Sequence, residues 1–158
     1  MPVSTSITTR LQYQHKSLID LIDGLSDEQI RKPVNAGKWS IFENMLHLAT
    51  YQHTFFSRMQ QMISENNPSF SQYAAESDPL FNESSTKSTR EIMKDLLGTR
   101  KEMAAAVDTY NENDISKTGR HPVYGILTLQ QWLNFFLLHE AHHLFTILKQ
   151  ALTIRSLN

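Results

Sequence analysis

The segment that decides the fold is residues 129–152, which read LQQWLNFFLLHEAHHLFTILKQAL. Its apolar residues recur at the spacing of a helix that buries one face. The inward stripe consists of Leu129, Trp132, Leu133, Phe136, Leu144 and Ile147. Thr128, with Gln131 three residues later, forms a capping box that opens the helix. The segment therefore predicts a long amphipathic helix whose apolar face must be covered by other helices.

Three earlier segments show the same amphipathic pattern. They are a first helix over about residues 5–24 with Gly24 as its C-cap, a second from Ser40 to about Ser64, and a third from Ser88 to about Tyr110. Glu43 and Glu91 complete the capping boxes that open the second and third helices. A further capping box at residues 26–29 opens a short turn that Pro33 ends.

Two stretches without this pattern connect the helices. Residues 65–87 are rich in Ser and Asn and contain two prolines. A loop of that length is usually functional, mobile or partly helical. Residues 111–127 form a second loop. Because strand-like alternation is hard to find anywhere, the sequence predicts an all-α chain folded as a four-helix bundle.

Composition narrows the class of protein. The chain has 158 residues, which fits one domain over residues 1–158 with a core that needs no disulfides. The net charge of −1 argues against a nucleic-acid partner. With no cysteine, the chain offers neither thiolate ligands nor a cysteine nucleophile. The N-terminus lacks the blocks of a signal peptide, and no segment approaches the roughly 20 apolar residues of a membrane span. We therefore expect a cytoplasmic protein without a membrane partner.

Histidines in two of the helices suggest a metal site. His139 and His143 are four residues apart, so their imidazoles project from the same face of the helix, about 6 Å apart along its axis. Both nitrogens could then reach one ion at about 2 Å. Taken alone, such a pair is more often two core histidines held by hydrogen bonds. If the second and fourth helices are antiparallel, His47 lies roughly level with residues 143–144 and could supply a third imidazole.

The same segment matches the H-E-x-x-H signature of zinc metalloproteases. Those enzymes take a third ligand from downstream, but the 15 residues after His143 contain no Asp, Glu or His. Thr146 and Lys149 stand where the extended form of the signature has Gly and His. We therefore do not expect a protease of this class, and any third ligand must come from upstream.

The other histidines and the acidic residue of the segment have less specific readings. His15 lies on an inward stripe and is expected to be a buried structural residue, although a fourth ligand or a hydrogen-bond donor to a ligand fits too. His53 is expected in solvent, His121 in a loop turn, and His142 against another neighbour or solvent. Glu140 falls within the apolar stripe and needs a partner, such as an ordered water, His15 or a metal-bound group, unless it reaches the surface through a helix seam.

Two motifs of the chain resemble those of the DinB-like (DinB/YfiT) family. The first is Trp39-Ser40 followed by Glu43 and His47-Leu48, and the second is His121-Pro122-x-x-Gly125, Leu127-Thr128, Trp132 and His139-Glu140-x-x-His143. The resemblance implies a bundle of up-down-down-up connectivity with one long crossover. It also implies a divalent metal bound by His47, His139 and His143, and homodimers are common in the family.

The resemblance implies enzymes of two kinds, metal-dependent hydrolases and transferases or isomerases that use bacillithiol or mycothiol. Our leading hypothesis is a metal-dependent enzyme for a small-molecule substrate. In one version, bound water attacks an ester or amide. In the other, a low-molecular-weight thiol cosubstrate attacks an electrophile, and family analogy slightly favours this thiol transfer. Glu140 could accept or orient the proton, and imidazole ligands suit Zn, Ni or Fe alike. The alternative is a non-catalytic helical dimer or stress-response binding module whose metal is structural or absent.

Overall fold

The structure, a computed structural model, describes residues 3–157. Its helices are α1 (Thr5–Tyr13), α2 (Ser17–Ile22), α3 (Asp27–Arg31), α4 (Ile41–Ser64), α5 (Pro79–Ser84), α6 (Thr89–Asp108), α7 (Glu112–Ser116) and α8 (Leu129–Ser156). Two 3₁₀ turns cover Gln14–Lys16 and Ala75–Ser77, and one hairpin pairs β1 (Thr118–His121) with β2 (Gly125–Thr128). The paired helices α1 and α2 form a four-helix bundle with α4, α6 and α8, as predicted. None of the described helices is long and apolar enough to span a bilayer.

Contacts between side chains give the direction of each helix. Tyr51 packs against His139 and Phe55 stacks on Phe136, so positions that rise along α4 meet positions that fall along α8, and these two helices are antiparallel. Arg10 donates a hydrogen bond to Asn134, and Gln14 donates one to the carbonyl of Leu137. Because residue numbers increase in the same direction along both segments, α1 and α8 are parallel.

Helices α4 and α6 are also parallel. Met45 and Ile92 share one apolar cluster, whereas Met59 and Met103 share the other. These directions confirm the predicted up-down-down-up connectivity. Because consecutive parallel helices begin at the same end of the bundle, the chain must return along its whole length between α4 and α6. Residues 65–88 make this crossover, and they are partly helical through Ala75–Ser77 and α5.

The helix starts follow from local capping chemistry. All four predicted capping boxes are present, at Ser26 with Gln29, Ser40 with Glu43, Ser88 with Glu91 and Thr128 with Gln131. In each box the hydroxyl accepts from the backbone of the third helical residue, whose side chain accepts from the cap in return. These bonds satisfy amides that would otherwise lack a partner at a helix N-terminus.

Two local expectations were wrong. The first helix is not continuous, because the 3₁₀ turn Gln14–Lys16 separates α1 from α2. The loop 111–127 contains α7 and most of a hairpin, although alternation predicted no strand. The hairpin is held by tertiary contacts: Trp132 donates from Nε1 to the carbonyl of Gly119 at 3.1 Å. A Cβ at Gly119 would lie 2.8 Å from the ring of Phe70, so this close approach requires glycine.

A polar layer crosses the middle of the bundle. The buried apolar residues form two clusters, which divide α4 into 41–49 and 51–62, α6 into 92–96 and 103–107, and α8 into 129–137 and 144–151. The polar side chains at or next to the boundary between the two clusters are His15, His47, Gln52, Arg100, His139, Glu140 and His143. The candidate site and the buried Arg100–Glu140 ion pair both lie in this layer.

Candidate metal centre

Three histidines from two helices converge on one point. The Nε2 atoms of His47 and His139 lie 3.1 Å apart, and those of His139 and His143 lie 3.2 Å apart. One ligand atom from each of the three lies within 4.8 Å of the others, and no other metal-binding group of this kind occurs in residues 3–157. The antiparallel packing of α4 on α8 therefore brings together the three ligands that the family resemblance implied.

The capped start of α4 fixes the orientation of one ligand. Ser40 caps the helix, and its carbonyl accepts a 2.8 Å hydrogen bond from the side-chain amide of Asn44. The amide oxygen of Asn44 is thereby turned to His143, whose Nδ1–H donates to it at 2.8 Å. The Nε2 lone pair of His143 is left facing the other two imidazoles. A hydrogen bond of this kind to the remote ring nitrogen is usual for a metal-bound histidine.

Aromatic residues enclose the cluster. The ring of Trp39 packs against His47 and His143, with centroids 5.2 and 6.2 Å away. Tyr51 stacks on His47 and meets the edge of His139. Tyr73, from the crossover, lies 5.6 Å from His47, and its hydroxyl donates to Asp78 at 2.7 Å. The crossover therefore forms part of the wall of the site.

Burial keeps the three imidazoles uncharged. It lowers the pKa of His47 and of His143 to about 3 and that of His139 to about 4, and the neighbouring histidines act in the same direction. Neutral imidazoles present lone pairs, which is the form that binds a cation. With the proton of each neutral ring on Nδ1, the three Nε2 lone pairs would face one another.

The donor set fits a divalent transition metal. Ligands about 2.0–2.1 Å from a tetrahedral ion would be about 3.3–3.4 Å from each other, close to the Nε2 separations found here. Nitrogen donors without carboxylates suit Zn, Ni, Fe or Cu better than Mg or Ca. A three-ligand set also leaves a coordination position for a water or a substrate, which distinguishes catalytic from structural zinc sites.

Two cavities reach the cluster from different sides. One, of about 250 Å³, is lined by His47 and His139 together with Tyr51, Arg58, Tyr73 and His121. The other, of about 320 Å³, is lined by His143 with Asn44, Trp39 and two lysines, Lys38 and Lys149. The histidines are therefore accessible to small molecules through two cavities.

Glu140 has a partner that the sequence analysis did not identify. Its carboxylate forms an ion pair with Arg100, and both side chains are at least 98 % buried. Gln14 donates to the same carboxylate at 2.9 Å. Neither an imidazole nor a metal-bound group is needed to satisfy it. The catalytic role of Glu140 stays a prediction, and the contacts of its carboxylate are those of a structural ion pair.

His15 belongs to the same ionic network. Its Nδ1 accepts a hydrogen bond from Arg100 at 3.2 Å, and it is buried, as expected for a structural histidine. Arg100 also donates from Nε to Gln52 at 2.6 Å. His15 is therefore engaged by Arg100 and is not grouped with His47, His139 and His143. A closed shell of four imidazoles, which would favour a purely structural metal, is not what the structure shows.

Three further histidines, His53, His121 and His142, lie outside the cluster. His121 shapes its turn as expected, because its Nδ1 accepts from the backbone amides of Val123 and Tyr124 at 3.1 Å each. His142 is exposed, also as expected. His53 is partly exposed to solvent, and its Nε2 also lies 3.0 Å from Asp95 on α6, a contact between helices that the sequence analysis did not expect.

Two residues of the site were not identified from the sequence. Arg58 lies eleven positions after His47, which places it on the same face of α4, and this spacing could have revealed it. Tyr73 lies in the crossover, where no periodic pattern indicates which way a side chain points. On the same helix as His47, Tyr51 stacks on His47 and Asn44 contacts His143.

An up-down-down-up bundle with a three-histidine centre between its second and fourth main helices defines the class of protein. A sequence model of the DinB superfamily matches residues 10–147, and the chain belongs to this superfamily. The family resemblance drawn from the two motifs is thereby confirmed.

Relatives agree with this assignment. The chain is 27 % identical over 139 residues to the uncharacterized protein YuaE of Bacillus subtilis, covering 78 % of this chain and 83 % of YuaE. It is 24 % identical over 129 residues to a Geobacillus kaustophilus protein named "Putative metal-dependent hydrolase GK0616", covering 77 % of this chain and 69 % of that protein.

Solved structures show the same fold. YfiT from Bacillus subtilis, described as a probable metal-dependent hydrolase with an unusual four-helix bundle topology, superposes with a TM-score of 0.82 at 18 % identity, over 96 % of this chain and 90 % of YfiT. The four-helix bundle protein TT2238 superposes with a TM-score of 0.66 at 20 % identity, over 90 % of this chain and 95 % of TT2238.

Proposed function

We propose that the protein is a metal-dependent enzyme that hydrolyses a small ester or amide at the His47–His139–His143 centre. The observation that carries the proposal is the convergence of three neutral imidazoles beside a cavity, with no fourth ligand from residues 3–157 grouped with them. The names of the Geobacillus relative and of YfiT support hydrolysis as the reaction class. A small-molecule substrate suits the size of the two cavities.

Each residue of the site has a distinct part in this proposal. His47, His139 and His143 bind the metal through Nε2, and Asn44 holds His143 in the tautomer that keeps this lone pair free. When bound, an ion without carboxylate ligands keeps its full positive charge and lowers the pKa of a water or thiol beside it. Trp39, Tyr51 and Tyr73 exclude bulk water from the imidazoles, which strengthens electrostatic interactions in the site.

Thiol transfer is the second candidate, and one observation favours it. Two cavities with different linings reach the histidine cluster, so there is room for two different molecules beside it. A transfer reaction must bind two organic substrates, whereas hydrolysis needs only one. Because the chain has no cysteine, the thiol would be a low-molecular-weight cosubstrate.

The test is an activity measurement on zinc-loaded protein from which any tag has been removed. Chromogenic esters report hydrolysis, and chlorodinitrobenzene with glutathione or bacillithiol reports transfer. We expect turnover that a chelator abolishes, that added zinc restores and that His139→Ala lacks. The matched control is His142→Ala, which removes an exposed imidazole from the same helix. Turnover that resists the chelator and persists in His139→Ala would contradict the proposal.

A further inference from the structure

Arg58 is a buried cation without an acidic partner. Its side chain is 9 % exposed, yet no carboxylate of residues 3–157 forms a salt bridge with it. One hydrogen bond holds it, from Nη2 to the carbonyl of Ser71 at 2.8 Å. A guanidinium has further N–H donors at Nε and Nη1, and neither is among the fully buried polar atoms that lack a partner. These donors are therefore open to a ligand in the cavity that Arg58 lines.

The unpaired guanidinium faces the histidine cavity. Arg58 lines the same 250 Å³ cavity as His47 and His139. Its Cα lies about 16 Å along the axis of α4 from that of His47, and helical side chains tilt towards the N-terminus, so the arginine reaches back towards the cluster. The cavity has the histidines at one end and a fixed positive charge towards the other.

The guanidinium is held in place before any ligand binds. Its Cζ lies 5.3 Å from the centre of the Phe70 ring and 6.0 Å from that of Trp132. Together with the bond to Ser71, these rings restrict the movement of the group. A fixed planar guanidinium matches the two oxygens of a carboxylate or phosphate. Preorganisation of this kind lowers the entropic cost of binding.

We propose that Arg58 is a specificity-determining residue that binds an anionic group of the substrate, a carboxylate or phosphate, while the reacting group lies at the histidines. The aromatic side chains of Tyr51, Tyr73 and Phe135 line the cavity between them and suit an apolar or aromatic body. This inference rests on the proposed function for the reaction, but anion binding by Arg58 does not require a bound metal.

The test uses the metal-free protein and three probes of similar shape. Benzoate and phenyl phosphate are anionic, and benzamide is a neutral counterpart of benzoate. Binding is followed by titration calorimetry and by the Nε–Hε resonance of Arg58 in ¹⁵N-labelled protein. We expect saturable binding of an anionic probe that shifts this resonance, and no comparable shift with benzamide. Phenyl phosphate binding more tightly than benzoate would identify a phosphate, and the reverse order a carboxylate.

Variants separate Arg58 from general charge effects. Arg58→Gln should weaken binding of the anionic probe by about ten- to a hundred-fold, the value of a charge-assisted hydrogen bond pair. Arg120→Gln makes the same charge change at an exposed neighbouring position and should leave binding unchanged. Arg58→Lys keeps the charge and should bind with intermediate strength.

Two outcomes would overturn the inference. One is the lack of a saturable shift of the Arg58 resonance in the wild-type protein with either anionic probe. The other is equal binding by the wild type and Arg58→Gln. The first does not depend on whether a variant folds. Since the titration omits metal, chelator-sensitive turnover tests the proposed function separately.

Discussion

Two polar groups lie side by side in the middle of the bundle, and they differ in how their atoms are paired. His139 and Glu140 are consecutive residues of α8, so their side chains point to different neighbours. His139 faces His47 on α4, whereas Glu140 faces Arg100 on α6 and Gln14 beside α1. One turn of α8 thus contributes to both the histidine cluster and the ionic network.

In the ionic network, the hydrogen-bond donors of Arg100 meet acceptors. Arg100 donates to Glu140, to Gln52 and to His15, each of which accepts. In the histidine cluster three imidazole nitrogens face one another, and Nδ1 of His47 and of His139 has no hydrogen-bond partner among the described residues. The ionic network is thus complete without any further group, whereas the histidine cluster has the donor arrangement that could hold a metal ion.

The largest effect on stability is expected in the ionic network. Arg100→Met leaves the carboxylate of Glu140 buried without its cation, and we expect the free energy of unfolding to fall by about 3–5 kcal/mol. Urea denaturation of the metal-free protein measures it. The control is the double variant Arg100→Met/Glu140→Leu, which removes both charges and should recover most of the loss. A single variant as stable as the wild type would show that the pair is not a structural element.

The second largest effect is expected on zinc binding by the histidine cluster. Asn44→Ala removes the acceptor that orients His143, and we expect zinc affinity to fall by about ten- to a hundred-fold with little change in fold. Competition with a chelator of known affinity measures the change. Asn134→Ala serves as the control, because its amide accepts from Arg10 away from the cluster. Equal affinities in the two variants would contradict the role assigned to Asn44.

The smallest effect concerns pH. Burial first, and then the charge of Arg100, lowers the pKa of His15 to about 3 from an ordinary value near 6.5. The unfolded chain therefore binds a proton that the folded chain rejects, so stability is lost as the pH falls below about 6.5. Between pH 7 and pH 5.5 we expect the metal-free wild type to lose about 1 kcal/mol more than His15→Gln. Parallel losses in both proteins would show that His15 is not the group responsible.

Much of the fold could be predicted because its signals are local. A capping box involves residues three positions apart, and a helical stripe repeats within a turn, so the starts of α4, α6 and α8 were found at the right residues. The hairpin was missed because its strands are four residues long and depend on contacts such as Trp132 with Gly119. No local pattern reports such a contact.

The site was predictable in part for the same reason. His139 and His143 are one helical turn apart, and the family resemblance supplied His47. The partner of Glu140 could not be identified, because which cation meets it depends on the rotation of α6 about its axis. Arg58 and Tyr73 acquire their place only when α4 and the crossover pack around the histidines.

The central claim is that His47, His139 and His143 bind a metal. The most direct test is metal content by mass spectrometry, on tag-free protein from unsupplemented medium and on the His139→Ala/His143→Ala variant. We predict about one transition-metal ion per chain in the wild type and loss of that ion in the variant. A wild type without metal, whose melting temperature is unchanged by added zinc or nickel, would contradict the account.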